Sequence, residues 1–162
     1  MRILHPLKPI YDKESKILIL GSFPSIISRE KSFYYANTNN RFWPILENIF
    51  NTKLLNNEEK ETFLINYHIA LFDVIKSCEI YNSSDSSIKN IVPNNINTLI
   101  KKSNIKYIFV NGKKALELYN KYIYDKTKIK AIYLPSTSSA NAKYSYEKLV
   151  KEYQIILEYL KK

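Results

Sequence analysis

The stretch Lys16-Ile17-Leu18-Ile19-Leu20-Gly21 sets four large aliphatic residues in a row and stops on a glycine. A strand with one wet face alternates apolar and polar residues. An unbroken apolar run this short reads instead as a strand covered on both faces, the usual state in a parallel sheet. Three more segments read the same way: 68–73 (HIALFD), 106–111 (KYIFVN) and 130–134 (KAIYL). Helical patterns fill the intervals at 42–50, 58–67, 94–102 and 113–122. A longer one at 144–161 closes the chain, with Leu149, Tyr153, Ile156, Leu157 and Leu160 as its apolar positions. Alternating strands and helices predict an α/β fold: a three-layer α/β/α sandwich on a central four-stranded parallel sheet. At 162 residues the chain has the length of a single domain.

Composition narrows the function. Cys78 is the only cysteine, and His5 and His68 are the only histidines. That excludes an intramolecular disulfide and a cysteine-built zinc or iron–sulfur site, so metal-free and cofactor-free chemistry is expected, with a magnesium held only by oxygens as the alternative left open. Apolar runs stay far below the eighteen or so residues of a membrane span, and residues 1–10 are broken by polar residues and proline where a signal peptide is continuous. A cytoplasmic protein is the default expectation. The net charge of +10 predicts anionic partners, nucleic acid first and acidic membrane surfaces second. Abundant Lys, Asn, Ile and Tyr are also what an AT-rich coding sequence produces, so charge alone does not decide the matter.

Two loops are longer or stranger than a connection needs, 22–41 and 135–143, and both follow the carboxyl end of a strand, where open α/β sheets bind ligands. A third polar stretch, 82–87 (NSSDSS), reads as a surface loop. The chain has only two glycines. Gly112 reads as a turn residue, whereas Gly21 opens the first long loop and points to function. That loop carries Ser22-Phe23-Pro24-Ser25 and then Phe33-Tyr34-Tyr35-Ala36-Asn37-Thr38-Asn39-Asn40-Arg41-Phe42-Trp43. Aromatic faces can stack on a base, and amides can bond its edge or hold a water. Phe42 and Trp43 are expected in the core at the start of a helix; Tyr35 and Asn40 are expected in a pocket.

These residues carry a family resemblance. The pattern LILGSFPS…YYANTNNRFW (from Leu18) resembles the first motif of the uracil-DNA glycosylase superfamily, in particular the mismatch-specific and thymine-type branches with a Gly-x-Asn-Pro-Gly loop and an Asn-x-Phe-Trp segment. It is more similar to the hypoxanthine-DNA glycosylases, which have Gly-Ser-Phe-Pro, then Tyr-Tyr-Ala and Asn-x-Phe-Trp. Leu134-Pro135-Ser136-Thr137-Ser138-Ser139-Ala140-Asn141-Ala142 resembles the family's Pro-Ser-rich loop that enters the minor groove. Ala70 to Val74, Cys78, and Val110-Asn111-Gly112-Lys113 fall where the family has similar segments. The resemblance runs from about His5 to the last helix.

The resemblance implies a monofunctional glycosylase that flips a deaminated base, with hypoxanthine preferred, out of damaged double-stranded DNA and hydrolyses its N-glycosidic bond as a monomer. By the motif, Asn40 positions the water or polarises the departing base. Phe23 stands where other branches have a catalytic Asn, so uracil-type chemistry is disfavoured. Tyr35 matches the stacking aromatic, Phe23 adds a wall, and the backbone of Gly21, Ser22, Phe23, Pro24 and Ser25 contacts the base or a phosphate. Asp73 either accepts from the N1–H of hypoxanthine or simply caps local backbone. Pro135, Ser136, Thr137, Ser138 and Asn141 form the DNA-gripping loop, with Asn141 or a neighbour as the wedge, since no bulky residue is present. His5 is expected to pack structurally. A uracil-directed enzyme of the same fold, or a basic α/β nucleic-acid-binding module without catalysis, are the competing readings.

Overall fold

The computed structural model describes residues 2–81 and 87–162. The polar stretch 82–87 therefore lies largely outside the described residues. The parallel sheet has the order β3-β2-β6-β7, formed by β2 (Ile17–Gly21), β3 (Ile69–Asp73), β6 (Tyr107–Asn111) and β7 (Ala131–Leu134). These are the four expected strands. Alternate side chains of β2 enter opposite layers. Ile17 and Ile19 join a core with α2 (Phe42–Ile49), α3 (Asn57–Asn66) and α7 (Tyr146–Tyr153). Leu18 and Leu20 join a second core with α4 (Ile96–Lys101) and α5 (Lys113–Tyr122). All five β2 residues are buried, which is why the strand reads as a continuous apolar run.

A second, antiparallel sheet was not evident from the pattern. It has the order β1-β4-β5, from β1 (Arg2–Leu4), β4 (Ile75–Ile80) and β5 (Ile88–Pro93). β4 leaves β3 after the single residue Val74, and β5 mixes exposed and half-buried positions without strict alternation, with an asparagine in its middle and a proline at its end. The segment after β1 runs along the outer edge of β3, where Ile10 and Leu71 exchange backbone hydrogen bonds of 3.0 and 2.9 Å. This path delivers His5 to the carboxyl end of the parallel sheet.

Two further boundaries differ from expectation. The first long loop contains a short helix, α1 (Ile26–Lys31), capped by the Ser25 hydroxyl, which accepts from Ser28 N–H. The closing helix is broken at Gln154 into α7 and α8 (Ile155–Leu160), where Leu157 N–H bonds Gln154 O three residues back instead of four. The four-residue α6 (Tyr124–Thr127) follows α5. None of the helices among the described residues is long and apolar enough to cross a membrane.

Candidate active site

A cleft of about 570 Å³ opens at the carboxyl ends of the parallel strands. It brings together Gly21 to Ser25, Tyr35, Asn40 and Asp73 from the first loop and β3, and Ser136 to Ser138 from the second. Lys113 and Lys114 at the start of α5 and Arg29 of α1 also line it, so the cationic wall suits a phosphate-bearing ligand.

The floor is built on Gly21, paired directly with Asp73 across the sheet. A Cβ on Gly21 would lie 2.5 Å from Asp73 Oδ1 and 3.1 Å from the Tyr35 hydroxyl. The glycine is needed for room and not for an unusual φ, in line with its functional reading. Asp73 is 4% exposed, and its Oδ2 accepts a 2.7 Å hydrogen bond from His5 Nε2. The His5 side chain is equally enclosed, at 3% exposure, with Nδ1 2.9 Å from Leu7 O. Asp73 caps no helix. His5 does more than pack: it fixes one carboxylate oxygen and leaves Oδ1 toward Gly21. Nothing in the sequence pairs these residues, which stand 68 positions apart.

Tyr35 sits in the left-handed region with φ 52°, a conformation that bulky residues rarely adopt. Phe42 stacks on one face of its ring, with centroids 4.0 Å apart, so at most the other face remains for the stacking expected of it. Its hydroxyl is buried and has no hydrogen-bond partner among the described residues. Asn111 lies nearby; its Oδ1 accepts from the Thr137 backbone N–H at 3.1 Å and one Nδ2 proton goes to the Thr137 hydroxyl at 3.0 Å, which leaves its second Nδ2 proton for the phenol oxygen. Burial, and secondarily the Asp73 charge, push the Tyr35 phenol well above its ordinary value. Phe23 forms another wall, edge-on to His5 at 5.8 Å and covered by the Arg29 guanidinium 5.6 Å from its centroid.

Asn40 is half-exposed at the cleft. Its Oδ1 accepts from Phe42 N–H at 2.9 Å, which satisfies one of the open donors at the start of α2. That bond orients the amide, and among the described residues Nδ2 has no acceptor. Phe42 and Trp43 are buried as expected, with Trp43 Nε1 donating to Tyr34 O at 2.9 Å.

Arg41 is the residue that sequence reading passed over. Its side chain donates to the carbonyls of Thr137 (3.3 Å), Tyr144 (2.5 Å), Ser138 (2.7 Å) and Asn141 (3.2 Å), and its backbone N–H also bonds Thr137 O. It ties the two loops into one wall. Pro135 and Thr137, expected at the DNA surface, are both buried: Tyr153 OH donates to Pro135 O at 2.8 Å, and Asn111 holds Thr137. Asn141, the expected wedge, donates through Nδ2 to Ser136 O at 3.0 Å and braces the loop. Ser136 and Ser138 hydroxyls accept from the N–H groups of Ser138 and Ala140, which leaves their O–H protons to donate. Gly112, read as a turn residue, has φ +98° and also passes close to Ser136, whose Cβ would be 3.2 Å from an added methyl.

A family model described as the uracil DNA glycosylase superfamily matches residues 8–161. Hypoxanthine DNA glycosylase of Methanosarcina barkeri is 34% identical over 112 residues, which is 67% of this chain and 71% of the relative. Hypoxanthine DNA glycosylase of Methanosarcina acetivorans is 34% identical over 142 residues, covering 84% of this chain and 87% of the relative. A solution NMR structure of a candidate uracil DNA glycosylase from M. acetivorans superposes with a TM-score of 0.84 at 30% identity, over 100% of both chains.

Proposed function

Because the chain belongs to the uracil DNA glycosylase superfamily, we propose that it excises hypoxanthine from damaged double-stranded DNA by flipping the nucleotide and hydrolysing its N-glycosidic bond. The cleavage passes through a sugar that gains positive charge and a base that gains negative charge, so donors aimed at the base lower the barrier. The observation that carries the assignment is Asn40: it lines the cleft with its carbonyl committed to Phe42 N–H, and its Nδ2 has no acceptor among the described residues. Asn40 donates to the departing base, Phe23 covers a base face, and Asp73 Oδ1 accepts from N1–H. Ser136, Ser138, Lys113 and Lys114 hold the flanking phosphates. Phe23 stands where an amide would be needed for uracil-type chemistry, which favours hypoxanthine. The names of the curated relatives point the same way.

The discriminating variant is Asn40→Asp. Its carboxylate can still cap α2 by accepting from Phe42 N–H, but it has no donor and sets a negative charge beside an anionic leaving group. Single-turnover release of hypoxanthine from a duplex is expected to fall by about 100-fold or more, with the melting temperature and duplex affinity near those of the wild type. Release at the wild-type rate would remove Asn40 from the chemistry.

A further inference from the structure

We propose that the Tyr35 hydroxyl and the Asp73 carboxylate form a donor–acceptor pair that reads the lactam edge of the extruded base, the hydroxyl donating to the C6 carbonyl and Oδ1 accepting from the adjacent N1–H. The inference rests on the hypoxanthine reading above and extends it to how the base is chosen. Both polar groups converge on one point over Gly21, 2.5 and 3.1 Å from where a Cβ would stand, and both line the cleft. The two loose ends of this arrangement are complementary to a ligand. Asp73 has Oδ2 bonded to His5, and its Oδ1 has no hydrogen-bond partner among the described residues. Tyr35 has a buried hydroxyl that makes no hydrogen bond of ordinary geometry among them; its polar neighbour Asn111 can only donate to the phenol oxygen and so leaves the O–H proton without an acceptor. A buried polar group left unpaired is destabilising, and native structures keep few of them. A ligand that accepts from the hydroxyl and donates to the carboxylate relieves both.

Deamination creates that ligand. It replaces the amino group and ring-nitrogen lone pair of adenine with a carbonyl and an N–H, which inverts the edge from donor–acceptor to acceptor–donor. Hypoxanthine therefore matches the pair. Adenine presents its N1 lone pair to a carboxylate that can only accept. Burial and the neighbouring carboxylate keep the Tyr35 phenol protonated, so it remains a donor at neutral pH. As the glycosidic bond breaks, the leaving purine spreads negative charge onto its carbonyl oxygen, and the Tyr35 hydrogen bond strengthens there. His5 acts as a positioning residue that holds Asp73 with one oxygen toward the base.

The test uses two duplexes whose target sugar is 2′-fluoroarabino, which blocks release, one carrying hypoxanthine and the other unsubstituted purine, which lacks the carbonyl and the N1–H. Wild type is expected to bind the hypoxanthine duplex more tightly. Tyr35→Phe keeps the ring stacked on Phe42 and should weaken that binding by about 2- to 12-fold, the range of one hydrogen bond, while leaving affinity for the purine duplex unchanged and the melting temperature no lower. Asp73→Asn should erase the preference for hypoxanthine over an otherwise identical adenine duplex. Equal affinity of wild type for hypoxanthine and purine, or equal losses on both in Tyr35→Phe, or no loss on hypoxanthine, would each overturn the pair. Release of hypoxanthine from an ordinary deoxyinosine duplex separates the two claims. Normal release with any of those binding results sinks the pair alone, whereas a wild type inert on deoxyinosine sinks the functional reading and the pair with it.

Discussion

A methyl group on Gly21 would stand 2.5 Å from Asp73 Oδ1, closer than any real Cβ contact, and both neighbours are pinned: Asp73 by His5 and Tyr35 by Phe42. Gly21→Ala is therefore expected to displace the carboxylate. It should lower unfolding free energy in urea by about 1–3 kcal/mol and cut hypoxanthine release more than it cuts binding to undamaged DNA. An alanine protein as stable and as active as wild type would show that Asp73 does not need its observed place. At this scale the sequence was informative where chemistry and position coincide. Gly21 and Asp73 end two parallel strands, Tyr35 and Asn40 lie in the long loop that follows the first of them, and all four line the cleft. It was silent on His5, because a histidine 68 residues from its carboxylate leaves no spacing to read. It was equally silent on which serines and amides of the second loop are spent on bracing it.

Elements are joined here by side chains bonded to backbone rather than by ion pairs. Arg41 bridges α2 to the 135–143 loop through three of its carbonyls and to Tyr144 just beyond it, and Asn111 at the end of β6 holds the same loop by Thr137. A planar guanidinium can reach several carbonyls at once; an ammonium on a single stem cannot. Arg41→Lys should therefore behave nearly as Arg41→Ala, each costing about 2 kcal/mol of stability. Amide hydrogen exchange should rise across residues 136–144 while the α5 amides keep their protection. Full activity and unchanged exchange in Arg41→Lys would remove the clamp from the account. The parallel strands were legible because their apolar runs are continuous, most clearly in β2, where every residue is buried; the edge strand β7 is only partly covered. The β1-β4-β5 sheet was not, since β5 reads Ile-Lys-Asn-Ile-Val-Pro and buries no residue fully. The break at Gln154 was also hidden, because the apolar spacing continues through it.

The chain carries 14 tyrosines, and burial raises several of them well above the ordinary value of about 10, Tyr34, Tyr35 and Tyr153 most of all. Raised folded-state values mean that these phenols stabilise the fold relative to the unfolded chain at low and neutral pH. That contribution is fully present below pH ~10 and is lost as pH climbs beyond it, because the unfolded chain releases those protons first. Each of the three contributes about 1.4 kcal/mol per pH unit to the downward slope. Urea unfolding followed upward from pH 9 should show that decline, and phenolate absorbance from these residues should appear only together with unfolding. Phenolates titrating at the ordinary value in the folded protein would contradict their burial. The cleft itself depends on the whole sandwich, since the carboxyl ends of three parallel strands and the segment after β1 meet around it. The central claim, that this cleft excises hypoxanthine, is tested most directly by single-turnover base release by the wild-type protein from matched duplexes carrying hypoxanthine, uracil or adenine at one position. The account predicts release of hypoxanthine well ahead of uracil and none of adenine. Uracil released fastest, or no base released from a duplex the protein binds, would contradict it.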